Sequence, residues 1–251
     1  MAVQRVFARS EIKYLITGAE RELIEKEMAP YMKADEFGRS TICSVYYDTP
    51  DYMLIRRSLD SPVYKEKLRL RSYGRAAPGS TVYAEIKKKY DSIVYKRRVG
   101  MELAFAENYL AGGWRNADEP SDQIGRELMF ALKRYGDLRP AAFVSGEREA
   151  FYAVDDHEFR VTFDENILGR DYDLSLDSRP GGLPLLEPDQ VLMEIKAGGA
   201  YPLWMCRLLS REKIYKTSFS KYGSIYNRLI QPNEKIYNGV NTNAKPVQWI
   251  V

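Results

Sequence analysis

The sequence has few residues of the kinds that build disulfides and histidine-based sites. Its 251 residues include two cysteines, Cys43 and Cys206, and one histidine, His157. Two cysteines this far apart, without CxxC spacing, exclude a disulfide framework and the usual zinc motifs. A single histidine excludes a histidine-rich metal cage. A Ser-His-Asp or Cys-His triad would have to use His157, whose acidic DDHE surroundings are typical of a turn.

Long apolar runs and biased tracts are also missing. No stretch reaches the roughly 18 apolar residues that span a membrane, and the N-terminal MAVQRVFARSEIKY lacks the apolar core of a secretory signal. With 45% hydrophobic and 29% charged residues and no Pro/Gly-rich tract, the chain does not fit the disordered, collagen-like or coiled-coil classes. We therefore expect a globular protein with a sizeable core and a cytoplasmic location.

Charge of one sign does not dominate the composition. Lys and Arg number 38 and Asp and Glu number 35, which gives a net charge of +3. This balance predicts no polyanionic partner by itself, and nucleic-acid binding is disfavoured because no recognised RNA-binding signature occurs. The placement of the charges along the chain is more informative than their sum.

The hydrophobic pattern predicts mostly strands, with helices at intervals. Extended segments are predicted at 12–16, 41–47, 64–73, 82–89, 93–101, 141–153, 158–167 and 191–197. Helical segments are predicted from Gly18 onward, at 53–59, in two pieces within 102–136, at 203–212 and at 220–230. This order favours an α+β fold with a dominant antiparallel sheet, in one domain over 1–230 followed by an extension over 231–251.

The predicted strands divide charged from apolar side chains. In YKEKLRLRSY, the two leucines share one face, and the other face carries Lys65, Lys67, Arg69 and Arg71. The same division recurs in VYAEIKKK, IVYKRRVGME, EFRVTFDE and VLMEIKAG. Two interpretations remain open at this point. The charged faces could be the solvated side of an open sheet with cross-strand charge matching, or the interior of a closed barrel whose apolar outside is covered by helices.

The tripeptide Glu-Ile-Lys points to what a charged interior would contain. It occurs as Glu11-Ile12-Lys13, Glu85-Ile86-Lys87 and Glu194-Ile195-Lys196, each with an acid and a base on the same face. Such a lumen would hold water or an anionic ligand, since crowded like charges are costly in a low dielectric. Several Arg and Lys would suit polyphosphate oxygens, and a few Glu would suit magnesium or manganese.

A set of motifs in a fixed order resembles a known family. The set comprises RSEIKY, SVYYDTPD followed by YKEKLRLRSYG, AEIKKK, KRRVG, SGEREAFY, FRVTFDENI, LMEIKAG and SFSKYGSIY. In this order and spacing, over about residues 5 to 230, the sequence resembles the VTC domains of polyphosphate polymerases, within the triphosphate tunnel metalloenzyme (CYTH-like) superfamily. The resemblance implies an antiparallel β-barrel that forms a tunnel, with helices packed around its outside. It also implies a divalent metal, Mn²⁺ or Mg²⁺, and ATP and inorganic polyphosphate or triphosphate as ligands.

Carried over residue by residue, the resemblance implies the following site. The catalytic cations would be Lys13, Arg69, Arg71, Lys87, Arg148, Arg160 and Lys196, and Lys221 would bind substrate. By strand parity, Lys67, Lys96 and Arg98 are further substrate-binding candidates. Glu194 matches the metal-binding glutamate, and Glu85 or Glu11 would assist. Alternatively, Arg148 and Arg160 are surface charges, and Lys221 merely starts the last helix.

One position departs from the wider superfamily. Its hydrolase and cyclase branch resembles a Glu-x-Glu-x-Lys start, whereas this chain has Arg9 in place of the first acid, before Glu11 and Lys13. The departure disfavours triphosphatase or cyclase activity and favours transfer of the γ-phosphate of ATP to a growing polyphosphate chain. A triphosphate hydrolase and a non-catalytic polyphosphate-binding module remain the alternatives.

Overall fold

The fold is described from a computed structural model, which covers residues 6–91 and 93–233. Ten strands form one sheet: β1 (Val6–Thr17), β2 (Met32–Ala34), β3 (Ser40–Asp48), β4 (Tyr64–Tyr73), β5 (Thr81–Tyr90), β6 (Ile93–Glu102), β7 (Arg139–Ala153), β8 (Arg160–Arg170), β9 (Leu183–Pro184) and β10 (Gln190–Ala197). Most of the predicted extension, from residue 234 on, lies outside the described residues.

Eight of the strands pair in a continuous ring. The hydrogen-bonded order β7-β3-β4-β5-β6-β1-β10-β8 returns to its start because β8 also pairs with β7. Every pairing is antiparallel, and β2 and β9 attach to β7 and β8 outside the ring. The predicted antiparallel barrel is therefore confirmed, in agreement with the closed alternative of the sequence analysis.

Within the described part of the chain, six α-helices accompany the barrel: α1 (Gly18–Met28), α2 (Met53–Leu59), α3 (Leu103–Leu110), α4 (Gln123–Tyr135), α5 (Leu203–Arg211) and α6 (Lys221–Ile225), the last continued by a π-helical segment, Tyr226–Ile230. A capping box starts α1, because the Thr17 hydroxyl accepts from the backbone N–H of Glu20 while the Glu20 carboxylate accepts from that of Thr17. No helix within the described residues is both long and apolar enough to cross a membrane.

Two apolar cores lie between the helices and the outside of the barrel. Helices α3 and α4 cover the outer faces of β4 and β5, where Leu68 and Leu70 meet Leu128 and Leu132. Helices α1 and α5 cover β1, β8 and β10. Burying these apolar faces outward leaves the charged faces of the same strands directed inward, because side chains alternate along each strand.

A third apolar cluster fills one end of the barrel interior. Leu192 has the same parity as the inward-facing Glu194, and it packs in this cluster with Tyr222 and Ile225 of α6. The short last helix therefore closes part of this end of the lumen. The sequence predicted a helix here but not its insertion into the barrel.

A buried carboxylate ties this helix to the wall. Asp48 is fully buried and accepts hydrogen bonds from the backbone N–H groups of Leu54 and Ile55, at the start of α2, at 2.8 and 2.9 Å. It also accepts one from the Tyr222 hydroxyl at 2.9 Å. The same carboxylate therefore caps one helix and anchors another.

The Tyr222→Phe variant should be less stable by about 1.5–3 kcal/mol, the usual contribution of a hydrogen bond to a charged group. The ring would still pack, so the loss isolates the hydroxyl that Asp48 accepts. Urea denaturation should show a lower midpoint with an unchanged slope. Tyr215→Phe, at a ring that is 75% exposed, is the matched control and should leave the midpoint in place. An equal midpoint for both variants would contradict the anchoring role.

Candidate functional site

Charged side chains from non-adjacent strands meet inside the ring. The Arg148 Nη2 atom, on β7, lies 3.4 Å from Glu194 Oε2 on β10, although β8 stands between these strands. The Lys87 Nζ atom, on β5, lies 2.7 Å from Glu11 Oε1 on β1, across β6. Contacts that skip a strand require side chains on the concave face of the sheet. The three Glu-Ile-Lys tripeptides therefore direct their Glu and Lys into the lumen.

Glu85 is the centre of one cation cluster. Its carboxylate is 1% exposed and lies 2.7 Å from Arg69 Nη2, 2.7 Å from Lys96 Nζ and 2.6 Å from Arg98 Nη2. Arg71 Nε follows at 3.9 Å. Burial alone would raise the pKa of Glu85, but these cations outweigh it and hold the pKa well below its usual range. Glu85 is thus ionised and fixes the surrounding side chains in place.

Asp164 is the centre of a second cluster. Arg148 makes a two-pronged contact with it, Nε to Oδ1 at 2.5 Å and Nη2 to Oδ2 at 2.6 Å. Lys221, the first residue of α6, bonds to the same carboxylate. Burial opposes ionisation of Asp164, yet Arg148 and Lys221 hold its pKa below the usual range.

Glu194 lies beside the second cluster, among three cations. Its oxygens are 2.9 Å from Lys196 Nζ and 3.5 Å from Lys13 Nζ, in addition to the Arg148 contact. Burial would raise its pKa, but these charges keep the pKa well below the ordinary value. Lys13 also donates to the backbone carbonyl of Phe219 at 2.9 Å, which joins the site to the segment leading into α6.

A small cavity of about 20 Å³ separates the two clusters. Besides Ser44, six charged or aromatic side chains line the cavity: Tyr46, Arg69, Arg71, Arg148, Asp164 and Lys221. This volume holds about one water molecule, so an anion larger than that needs side-chain movement. Burial and the nearby Arg69 charge lower the pKa of Arg71 to about 10, so an anion placed here would relieve an excess of positive charge.

The structure brings together all but one of the predicted cations. Ten converge on the lumen: Lys13, Lys67, Arg69, Arg71, Lys87, Lys96, Arg98, Arg148, Lys196 and Lys221. Arg160 has the predicted parity and pairs with Lys196 in register, but as the first residue of β8 it is exposed at the rim. It does not join the buried clusters.

Sequence reasoning missed two residues that the structure places at the centre. Asp164 holds Arg148 and Lys221, and the Tyr46 hydroxyl accepts from Arg69 Nη1 at 3.2 Å. The alternation of side chains along the strands could have identified both residues. Asp164 shares the charged face of FRVTFDENI with Arg160, and Tyr46 shares a strand face with Ser44.

The carboxylates form no metal-binding cluster by themselves. Among the described residues, no three or more His, Cys, Asp or Glu side chains are arranged to hold a metal ion. The lone pairs of Glu85 face four cations, and Glu11 is paired with Lys87, which makes both poor ligands. Glu194 is also paired, with Lys13, Arg148 and Lys196, so its contacts do not distinguish it from the other two. It is the candidate that the sequence motifs single out, and Mg²⁺ and similar ions are commonly held by one or two carboxylates together with substrate phosphates.

Comparison with known proteins agrees with this architecture. Residues 8–230 match the model of a protein family described as the VTC domain. Vacuolar transporter chaperone complex subunit 4 of Trypanosoma brucei brucei is 23% identical over 238 residues, which cover 76% of this chain and 30% of that relative. The chain therefore spans less than a third of the relative's length.

Solved structures with the same fold include two proteins from distant sources. A candidate adenylate cyclase of Bacillus halodurans superposes with a TM-score of 0.55 at 13% identity, over 90% of this chain and 100% of that one. A candidate adenylyl cyclase of Hippeastrum, described by its dominant triphosphatase activity, gives 0.50 at 13% identity, over 87% and 95%. At such identities the likeness establishes the fold alone.

Proposed function

Because this chain belongs to the VTC domain family, we propose that it is a polyphosphate polymerase, which transfers the γ-phosphate of ATP to the end of a growing polyphosphate chain. The observation that carries the proposal is the convergence of arginine and lysine side chains on the inside of a closed ring of strands. An interior of this kind favours a ligand with many anionic oxygens.

The proposed chemistry needs no covalent nucleophile from the protein. Arg69, Arg71 and Arg148 would clamp phosphate oxygens through paired N–H groups, while Lys13 and Lys196 would offset charge on the transferred group. In the free protein, Glu85 and Asp164 hold these arginines close to where the phosphates would lie. Such preorganisation favours in-line alignment of donor and acceptor.

A divalent ion would complete this arrangement at Glu194. The Glu194 carboxylate would hold Mn²⁺ or Mg²⁺ jointly with phosphate oxygens, and the bound ion would neutralise charge on the transferred phosphoryl group. The chain's own residues bind and align the two substrates. With few acids nearby, the site is poorer than a two-metal hydrolase requires, which agrees with the Arg9 departure in sequence.

The position of a radioactive label tests the reaction type. With ATP labelled on the γ-phosphate, label should enter a polymer that is resistant to nucleases. With ATP labelled on the α-phosphate, label should remain in ADP. Label from the α-phosphate in a cyclic nucleotide would overturn the proposal, as would γ-label found only in orthophosphate.

The second candidate is hydrolysis of tripolyphosphate or a nucleoside triphosphate. Insertion of α6 favours it, because a partly closed lumen suits a short ligand. The dominant triphosphatase activity attributed to the Hippeastrum structure fits the same alternative. A polyphosphate-binding module without turnover would keep the same cations.

Binding of a phosphate chain should be accompanied by proton uptake at Lys67. Burial lowers the pKa of Lys67 to about 7, and the charges of Lys13 and Lys87 add to the effect. At about pH 8 the free side chain is mostly neutral, whereas the phosphates are already ionised. A bound polyanion would restore the lysine's charge. Calorimetry in two buffers of different ionisation enthalpy should show uptake approaching one proton.

The Lys67→Gln variant supplies the control for this linkage. It should bind tripolyphosphate with a smaller proton uptake, by up to one proton, because burial also lowers the pKa of Lys96 and leaves that lysine able to take up a proton. Equal uptake in both proteins would contradict the assignment to Lys67. The depressed pKa of Lys67 also makes the stability of the free protein depend on pH: ligand binding takes up a proton at this side chain, whereas folding releases one. From about pH 7 up to the ordinary lysine pKa of 10.5, the unfolded chain holds a proton that the folded chain has released. Lys67 therefore makes the free protein more stable as the pH rises through this window.

A further inference from the structure

The inner face of the barrel carries an exposed tyrosine at one edge of the cavity. Strand alternation places Tyr73 on the same face of β4 as Arg69 and Arg71. Three successive rungs of the β3–β4 ladder lie here, and they pair Arg69 with Tyr46, Arg71 with Ser44, and Tyr73 with Ile42. Five of these six residues line the cavity, and the sixth, Tyr73, is 53% exposed. The rung that carries Tyr73 is therefore the solvent-facing edge of the cavity.

Although it is exposed, the Tyr73 ring is held in one orientation. Arg98 Nη2 donates to the Tyr73 hydroxyl at 2.9 Å, and the same guanidinium lies over the Tyr83 ring, 4.6 Å from its centroid. The two tyrosine rings meet edge to face, with centroids 5.9 Å apart. Glu85 fixes Arg98 in turn, at 2.6 Å. We name Tyr73, Tyr83 and Arg98 the tyrosine platform.

The chemistry changes from cationic to aromatic along this stretch of β4. Arg69 and Arg71 suit the oxygens of a phosphate group, whereas a tyrosine ring presents a flat π-face to its ligand. From Arg71 to Tyr73 the strand rises about 7 Å, which leaves room for a sugar between a phosphate and a ring stacked on Tyr73. A ligand that is anionic at one end and flat and aromatic at the other matches both parts, and a nucleoside triphosphate has this form. Aromatic rings and guanidinium planes are the surfaces on which proteins stack nucleobases.

We propose that the tyrosine platform stacks the nucleobase of the phosphate donor, so that Tyr73 selects a nucleoside triphosphate over inorganic triphosphate. The proposal rests on the proposed function, in which ATP is the donor. Because Arg98 and Tyr83 already hold the Tyr73 ring, a base can stack on it without the cost of ordering a mobile side chain. Stacking uses the π-face that every base has. The platform therefore favours nucleotides as a class and discriminates little between adenine and guanine.

Comparing a ligand that has a base with one that lacks it tests the platform. The full chain is titrated with the β,γ-imido analogue of ATP and with tripolyphosphate, both in the presence of a metal chelator, so that binding is measured without turnover. Tyr73→Ala should weaken binding of the nucleotide analogue by about five- to a hundredfold, the usual effect of removing one stacked aromatic ring. Its affinity for tripolyphosphate should stay within about twofold of wild type. The β,γ-imido analogue of GTP should show a loss similar to that of the ATP analogue.

Two further variants serve as controls. Tyr73→Phe keeps the ring and should bind the nucleotide analogue within about threefold of wild type. Tyr90→Ala removes an equally exposed tyrosine, 56% exposed, at the opposite end of β5, and it should leave both affinities in place. Thermal melting checks that each variant folds. Equal weakening of both ligands in Tyr73→Ala, or no weakening of the nucleotide analogue, would overturn the platform.

The outcome for the platform is separable from the outcome for the polymerase. If wild-type protein makes no polymer but Tyr73→Ala shows the loss specific to the nucleotide, the polymerase is refuted and the platform is supported. If wild-type protein makes polymer and Tyr73→Ala binds the nucleotide analogue as tightly as wild type, the platform is refuted and the polymerase stands.

Discussion

The Arg69→Ala variant should lose phosphate transfer from ATP by about 10²-fold or more, the usual cost of removing a positioned donor from a charge-stabilising site. Arg69 lies between Glu85 and the Tyr46 hydroxyl and lines the cavity that separates the two cation clusters. Its guanidinium is therefore placed to contact a phosphate oxygen. Initial rates of ADP formation, with and without polyphosphate primer, measure the loss.

The Arg69→Ala protein should still fold, so a loss of activity can be assigned to the site. Glu85 keeps Lys96 and Arg98 at 2.7 and 2.6 Å, so its buried charge remains compensated. Arg69→Lys retains charge without the fork and should recover part of the rate. Arg207→Ala, at an exposed position of α5, is the control. Full activity in Arg69→Ala with an unchanged melting temperature would remove Arg69 from the site.

The Glu194→Gln variant should abolish the dependence of turnover on divalent metal, together with at least about 10²-fold of the rate. The amide keeps the size of the side chain but not the negative charge that would attract the ion. Glu194 is buried among Lys13, Lys196 and Arg148, so the variant adds net positive charge to the lumen. Rates measured over a range of Mn²⁺ concentrations separate loss of metal binding from loss of maximal rate.

Phosphate affinity distinguishes the two roles that Glu194 could have. As a metal residue, its replacement by Gln weakens turnover while polyphosphate still binds at least as tightly, because a negative charge has been removed. As a mere counter-ion to the lysines, the same change would leave turnover and its metal dependence intact. Glu11→Gln is the comparison, since Glu11 contacts Lys87 at 2.7 Å. We expect it to keep the metal dependence.

Strand alternation explains why so much of the site was predictable from sequence. Whether a side chain points inward is a local property with period two, so parity placed Lys67, Arg69 and Arg71 on the same wall as the structure does. The Glu-Ile-Lys tripeptides follow the same rule. Their isoleucines pack outward, with Ile86 and Ile195 3% and 0% exposed, and their charges face the lumen.

What parity cannot supply is proximity between distant segments. The contact between Arg148 and Glu194 depends on a ring closed by the β7–β8 pairing, which no local pattern specifies. The insertion of α6 depends in the same way on tertiary packing around Tyr222. Arg160 shows a second limit: parity predicts which face a side chain occupies but not how deep in the barrel it lies. Its face was predicted correctly, but its place at the start of β8 leaves it at the rim.

The most direct test of the polymerase proposal is the product of the purified protein with ATP and manganese, resolved by gel electrophoresis and phosphorus NMR, beside Arg69→Ala. We expect chains much longer than triphosphate from the wild type and, in the same time, about a hundredth of that product or less from the variant. Orthophosphate as the sole product would contradict it in favour of a hydrolase. Tight polyphosphate binding without turnover would contradict it in favour of a binding module.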